Sequence, residues 1–333
     1  MVAVIFQLQS LQQFGGVSAT HIDWTMVPYV KKSFVKHYRD GLTYCEDDSQ
    51  RIVIEKLSDS HKYMETLSIE DEYFKECLKA YKYAWTMTER ETMQAVEAMY
   101  HNLNTLQSRS GNQLPFTSIN YGTCTLPEGR LVTKCLIEGS IKGIGKLHKT
   151  SIFPCGIFQC MKGVNREPGD PNYDLFRLAL KSTAQRLYPN YANVDWSGNA
   201  GYDINDPRTY FSTMGCRTAN GWDINGLGQL KDGRGNICPT TIILPTIAME
   251  SCEKWAAQFD DKYKYVMELE EIFLEELDKA IYDAKDMLIE RFEWICSQSP
   301  ASARFMYENG LMAGYVPEEG IRSALKHGTL ALG

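Results

Sequence analysis

Ten cysteines and six histidines are the side chains in this chain best suited to act as nucleophile, radical carrier or metal ligand. The cysteines stand at 45, 77, 124, 135, 155, 160, 216, 238, 252 and 296, with no CxxC pair and no zinc-finger spacing. A chain of 333 residues is also far too long for a disulfide-stapled miniprotein, so reduced thiols are expected. The histidines, at 21, 37, 61, 101, 148 and 327, form no HExxH or facial-triad pattern, and no protein-held metal is expected. There is no GxSxG elbow for a serine nucleophile. The run Gly139 to Leu147 suggests a phosphate loop, but five residues separate its first glycine from the Gly-Lys pair where a Walker loop has four. Leu147 also follows Lys146 where that loop requires Ser or Thr.

A cysteine taken blindly is a small core hydrophobe. Cys216 departs from that default because it sits beside a glycine in the run Tyr210-Phe-Ser-Thr-Met-Gly-Cys-Arg-Thr218, inside a long irregular stretch. The adjacent Arg217 either lowers the thiol pKa or caps a helix. Residue chemistry alone therefore points to a reactive thiol at a loop tip.

The elements around it alternate. Thr88 with Glu91 resembles a capping box, and Met93, Val96, Tyr100, Leu103 and Leu106 follow at helical spacing until Ser108 and Gly111. Strands are expected at 115–121, 151–159, 191–196 and 240–244, and helices at 128–145 and 172–187. Strands this apolar between helices predict a parallel sheet covered on its faces, an α/β fold. The apolar stripe Val266, Leu269, Phe273, Leu277, Ile281, Ala284, Leu288 marks one long helix, with Glu268, Glu271, Glu275 and Lys279 on its solvated face. Residues 39–80 are polar and weakly patterned, a helical excursion outside the sheet. Residues 197–236 are rich in Gly, Asn and Asp, too long for an idle connection.

Composition narrows the class further. With 44% hydrophobic and 23% charged residues the chain is of soluble globular type, and its net charge of −7 gives no footprint for a nucleic-acid backbone or an anionic membrane. No apolar run reaches the ~20 residues of a bilayer span and the start lacks a secretion signal, so a cytoplasmic location is expected.

Seven stretches resemble, in order and spacing, the anaerobic (class III) ribonucleotide reductases: 11–24 (LQQFGGVSATHIDW), 101–123, 152–159 (IFPCGIFQ), 169–179, 187–199, 212–218 (STMGCRT) and 233–250. The resemblance implies reduction of ribonucleoside triphosphates to deoxyribonucleotides for DNA synthesis. It implies a fold, the ten-stranded α/β barrel of ribonucleotide reductases and glycyl radical enzymes, in part, as one domain over 1–333, with 197–236 as the finger loop. Cys216 would become a thiyl radical and remove the ribose 3′ hydrogen. Met214 resembles the residue of the formate-using branch. Asn236 matches the asparagine beside the substrate ribose, or is a turn residue. Gly15, Gly16 and Ser18 on the GGVS turn, with Ser118 and Asn120 on the following strand, are candidate polar groups lining the site. His101, Asn102, Asn104 and Gln107 lie on what resembles the dimer-forming helix, within an excursion spanning 39–110, near which a deoxynucleotide or ATP effector binds.

The implied partners are the nucleotide substrate, those effectors, a second copy of the chain and an S-adenosylmethionine/[4Fe-4S] activating enzyme. In the family that enzyme generates a glycyl radical on a downstream portion that also holds a four-cysteine zinc site. No RxxGY-like run occurs here, so the expectations are no cofactor bound by these residues and no turnover by the isolated chain. The second reading is a non-catalytic, nucleotide-binding or dimerising remnant.

Overall fold

A computed structural model describes residues 1–13, 15–44, 64–105, 114–215, 218–258 and 266–332. The chain divides into two compact units, Met1–Asp223 with Gly228–Asp232, and Ile224–Leu227 with Gly233–Gly333.

The first unit is built on four parallel strands in the order β1 (Val17–Ala19), β2 (Thr117–Tyr121), β3 (Cys155–Cys160), β4 (Asn190–Asn193). Every residue of β2 is buried, as expected of a strand covered on both faces. Side chains alternate across a strand, so Ile119 and Tyr121 point one way and Ser118 and Asn120 the other. Ile119, Tyr121 and Phe158 pack against Val96 and Leu103 of a long helix (Leu78–Thr105), Leu131 and Leu136 of a second (Pro127–Lys142), and Leu175 and Ala179 of a third (Tyr173–Arg186). The second starts with Pro127 at its first turn and stops at Gly143, whose φ of +74° suits glycine. It ends three residues earlier than its apolar pattern suggests.

The helix Leu78–Thr105 carries two apolar faces. Its C-terminal half faces the sheet, while Ala80 and Ala84 let Val27–Tyr44 approach closely, where a Cβ on Gly41 would stand 3.0 Å from the Ala80 Cα. Around that contact Phe34, Tyr38, Phe74, Met64 and Ile69 form a second core. Thr88 and Glu91 are thus inside a helix and not at its start. Glu91 instead accepts from Ser33 and pairs with His37 at 2.8 Å, joining the two helices.

The second unit holds the parallel pair β7 (Asn236–Thr240) and β8 (Thr329–Leu332), helices Leu244–Gln258 and Val266–Cys296, and a small core of Met306, Tyr307, Ile321, Ala324 and Leu325. The strand expected at 240–244 lies earlier, at 236–240, because Leu244-Pro245 opens a helix and proline fits a first turn. The stretch 197–236 contains two single 3-10 turns and the antiparallel pair β5 (Thr213–Met214) and β6 (Thr218–Ala219). The described strands form sheets of four, two and two, so ten strands in one barrel are not seen among the described residues. No described helix is long and apolar enough to cross a membrane.

Candidate active site

On the face of the four-stranded sheet that carries Ser118 and Asn120, side chains bond the backbone of Phe211, Thr213 and Gly215. In-register parallel pairing sets Ser18 beside Ser118, and Asn120 one pleat further along. The Asn120 amide brackets one residue of the loop, accepting from the Thr213 N–H at 3.0 Å and donating to the Thr213 carbonyl at 2.9 Å. It also reaches the Ala19 carbonyl at 2.9 Å and the Ser18 hydroxyl at 3.2 Å. Ser18 Oγ donates to the Thr213 carbonyl at 2.9 Å, and Ser118 Oγ donates to Ser18 Oγ at 2.9 Å while accepting the Gly215 N–H at 3.0 Å. On β3, Gln159 donates to the Phe211 carbonyl at 2.8 Å. Ser118, Asn120 and Gln159 are fully buried, a setting in which polar atoms need partners, and of their side-chain atoms the Gln159 Oε1 alone has none among the described residues.

Glycines make the close approach possible. Gly215 has φ +63°, and a Cβ on it would stand 2.9 Å from the Phe116 ring. A Cβ on Gly16 would stand 2.9 Å from the Phe116 carbonyl oxygen, to which Val17 donates at 2.9 Å. Gly15 has open space around its Cα. Of the residues singled out in the sequence, Ser18, Ser118, Asn120 and the backbone flanking Met214 therefore come together, with Gly16 beside them. Met214 itself is half-buried on β5. Cys216, the residue after Gly215, and Arg217 lie outside the described residues.

Asn236 belongs to the second unit, at the start of β7, and its buried Oδ1 has no hydrogen-bond partner among the described residues. His101, Asn102 and Asn104 lie on the last turns of Leu78–Thr105; Gln107 lies outside the described residues. His101 is exposed, whereas Asn104 accepts from the Ile152 and Phe153 N–H groups at 2.9 and 3.1 Å, tying the helix to the entrance of β3.

Beyond the C-terminal end of β1 the structure assembles groups that local patterning gave no reason to join. His21 Nε2 is 3.2 Å from Asp232 Oδ2, Thr20 donates to the other oxygen of Asp232, and Thr25 Oγ1 lies 3.3 Å from His21 Nδ1. Asp23 is fully buried and accepts from the Gly122, Cys124 and Trp24 N–H groups at 2.9, 3.0 and 3.1 Å. Burial pushes its pKa up, against those donors and the nearby His21. The described thiols whose pKa values shift move upward through burial, Cys160 to about 11 and Cys135 to about 12. Thr20, His21 and Asp23 lie within the stretch 11–24 singled out by its resemblance; Asp232, some two hundred residues on, gave no signal. Among the described residues no three His, Cys, Asp or Glu side chains converge so as to hold a metal ion.

The family model of anaerobic ribonucleoside-triphosphate reductase matches residues 1–333. The chain is 29% identical over 330 residues to the anaerobic ribonucleoside-triphosphate reductase of Enterobacteria phage T4, covering 98% of this chain and 47% of that protein. It is 27% identical over 297 residues to the protein of that name from Haemophilus influenzae, covering 89% of this chain and 34% of the relative. With the Escherichia coli protein it shares 30% identity over 239 residues, 72% of this chain and 28% of that one. The chain thus spans less than half the length of these curated relatives.

Proposed function

Because the chain belongs to the anaerobic ribonucleoside-triphosphate reductase family, we propose that it supplies the thiol-bearing loop, and the sheet behind it, of an enzyme that reduces ribonucleoside triphosphates to deoxyribonucleotides. The observation that carries this reading is the fastening of Thr213 and Gly215, the residues leading into Cys216, onto the polar face of the sheet. A hydrogen-atom transfer needs donor and acceptor held at contact distance and water kept away, and a loop bonded at successive backbone groups meets the first need.

In this reading Cys216, as a thiyl radical, takes the 3′ hydrogen atom of the ribose and leaves the unpaired electron on C3′. The 2′ hydroxyl departs with a proton as water. Formate supplies two electrons and leaves as carbon dioxide, and Cys216 returns its hydrogen atom to C3′. The sum is ribonucleotide, formate and one proton converted to deoxyribonucleotide, carbon dioxide and water. Asn236, whose buried Oδ1 has no hydrogen-bond partner among the described residues, would accept from a ribose hydroxyl. The unpaired electron would reach Cys216 from a glycyl radical on a segment of the kind the family carries, generated by an S-adenosylmethionine-dependent iron–sulfur enzyme. Zinc would belong to that same segment.

On the same premise β1 to β4 form part of a ten-stranded barrel, the helix Leu78–Thr105 pairs two copies of the chain, and deoxynucleotide or ATP effectors bind near it. The test is reconstitution of the 333-residue protein with a glycyl-radical segment and an activating enzyme from a relative, under anaerobic conditions with formate. Deoxynucleotide formed by the wild type and not by Cys216→Ala, with substrate binding retained in both, is the expected result. Equal turnover by the variant would overturn the reading.

A further inference from the structure

We propose that Ser18, Ser118 and Asn120 are positioning residues, a three-residue clamp whose task is to fix the backbone of Thr213–Gly215 and thereby the thiol that follows it. The purpose assigned to the clamp rests on the reading of Cys216 above; the clamp itself rests on distances alone.

The hydrogen-bonding capacity of the three side chains is the starting point. Asn120 offers two N–H donors and a carbonyl, and all are engaged, at Thr213, Ala19 and Ser18. Ser118 has one hydrogen, given to Ser18, and accepts from Gly215. Ser18 gives its hydrogen to Thr213 and accepts from both other members. Each hydroxyl hydrogen has one acceptor and each amide hydrogen at least one, so the cluster is closed. None of the three keeps a donor for a ribose or a phosphate. Ser118 and Asn120 are fully buried, where a half-bonded network is costly and a completed one favours a single geometry. Three different strand positions, two of them a hundred residues from the third, converge on two loop residues, Thr213 and Gly215. A loop that needed only to be anchored would not require both the N–H and the C=O of one residue to be bracketed by one amide.

The clamp also accounts for the glycine. The N–H that Ser118 accepts comes from Gly215 at φ +63°, a conformation costly for other residues, and the Phe116 ring closes the space a side chain would take. Position 215 is thus constrained from two sides immediately before the thiol.

The experiment uses the 333-residue protein and needs no turnover. Site-resolved amide hydrogen exchange would be followed at Thr213 and Gly215 in the wild type, Asn120→Ala, Ser118→Ala and Ser118→Thr, together with the alkylation rate of Cys216 relative to the exposed Cys252. The expected result is exchange faster by at least about fivefold at Thr213 in Asn120→Ala and at Gly215 in Ser118→Ala. The amides of β2 and β3 should keep their wild-type rates, the Cys216 alkylation rate should change against that of Cys252, and Ser118→Thr should restore protection at Gly215. Unchanged exchange at both amides overturns the proposal. Exchange raised equally along β1 to β3, or variants that do not fold, also overturns it by assigning the three residues to the stability of the sheet. Since none of these readings uses deoxynucleotide formation, failure of the clamp is distinguishable from failure of the radical chemistry.

Discussion

Gly215 combines a positive φ with a crowded Cβ position. At φ +63° with the Phe116 ring 2.9 Å from a prospective Cβ, Gly215→Ala has to adopt a left-handed conformation and displace an aromatic ring. A loss of about 1–3 kcal/mol is expected from these two costs, read from the denaturant midpoint of the first unit. Glu91 gives a prediction of a different kind. Hydrogen bonding from Ser33, then from His37, and the charge of Lys36 hold its carboxyl below its ordinary value of 4.5. A carboxylate depressed in the folded state stabilises above the unfolded pKa, and that contribution is lost as pH falls through the folded one. The Tm advantage of the wild type over Glu91→Gln should therefore be constant above pH 4.5 and shrink below it, in thermal melts between pH 3 and 6. At this scale the sequence was informative about identity and silent about partners. Ser18, Ser118 and Asn120 were singled out in the sequence and come together in the structure, whereas nothing near Glu91 in sequence announced Ser33 and His37, more than fifty residues away.

The elements that position the site were largely legible, and the failures have physical causes. Helices at 127–142 and 173–186 and strands at 117–121, 155–160 and 190–193 follow the periodicities that the chain displays, while the helix at 78–105 starts well before the Thr88 expected to cap it. Val27–Tyr44 was not apparent because its apolar face, Val30, Phe34, Val35, Tyr38 and Leu42, is diluted by lysines and tyrosine on the other sides. The strand at 236–240 was displaced in the reading because Thr-Ile-Ile-Leu is β-branched and apolar enough to compete, until Pro245 decides for a helix start. Register was invisible: no local pattern says that Ser18 lies beside Ser118, yet that pairing builds the clamp. The packing of Val27–Tyr44 on Leu78–Thr105 gives a direct test. Phe34 has no exposed surface and makes edge contacts with Phe74, Tyr81 and Trp85 at ring separations of 5.2, 5.9 and 6.0 Å. Phe34→Ala should cost about 3–5 kcal/mol in chemical denaturation, from the cavity and the lost transfer free energy.

For the molecule as a whole, family membership follows from a match over residues 1–333, while the chemistry is a property of proteins of which this chain spans 28% to 47% in the curated relatives compared. The loop before Cys216 is fastened within the first compact unit, and Asn236, whose buried Oδ1 has no hydrogen-bond partner among the described residues, belongs to the second. Substrate contact with Asn236 predicts that Asn236→Ala raises KM for the ribonucleotide while leaving amide exchange at Thr213 and Gly215 unchanged, since the clamp does not involve it. The most direct test of the central claim, that Cys216 takes the 3′ hydrogen, is deoxynucleotide formation by the reconstituted protein from substrate carrying deuterium at C3′. The account predicts a lower kcat/KM for the deuterated substrate with the wild type and no product with Cys216→Ala; product formed by Cys216→Ala at the wild-type rate would contradict it.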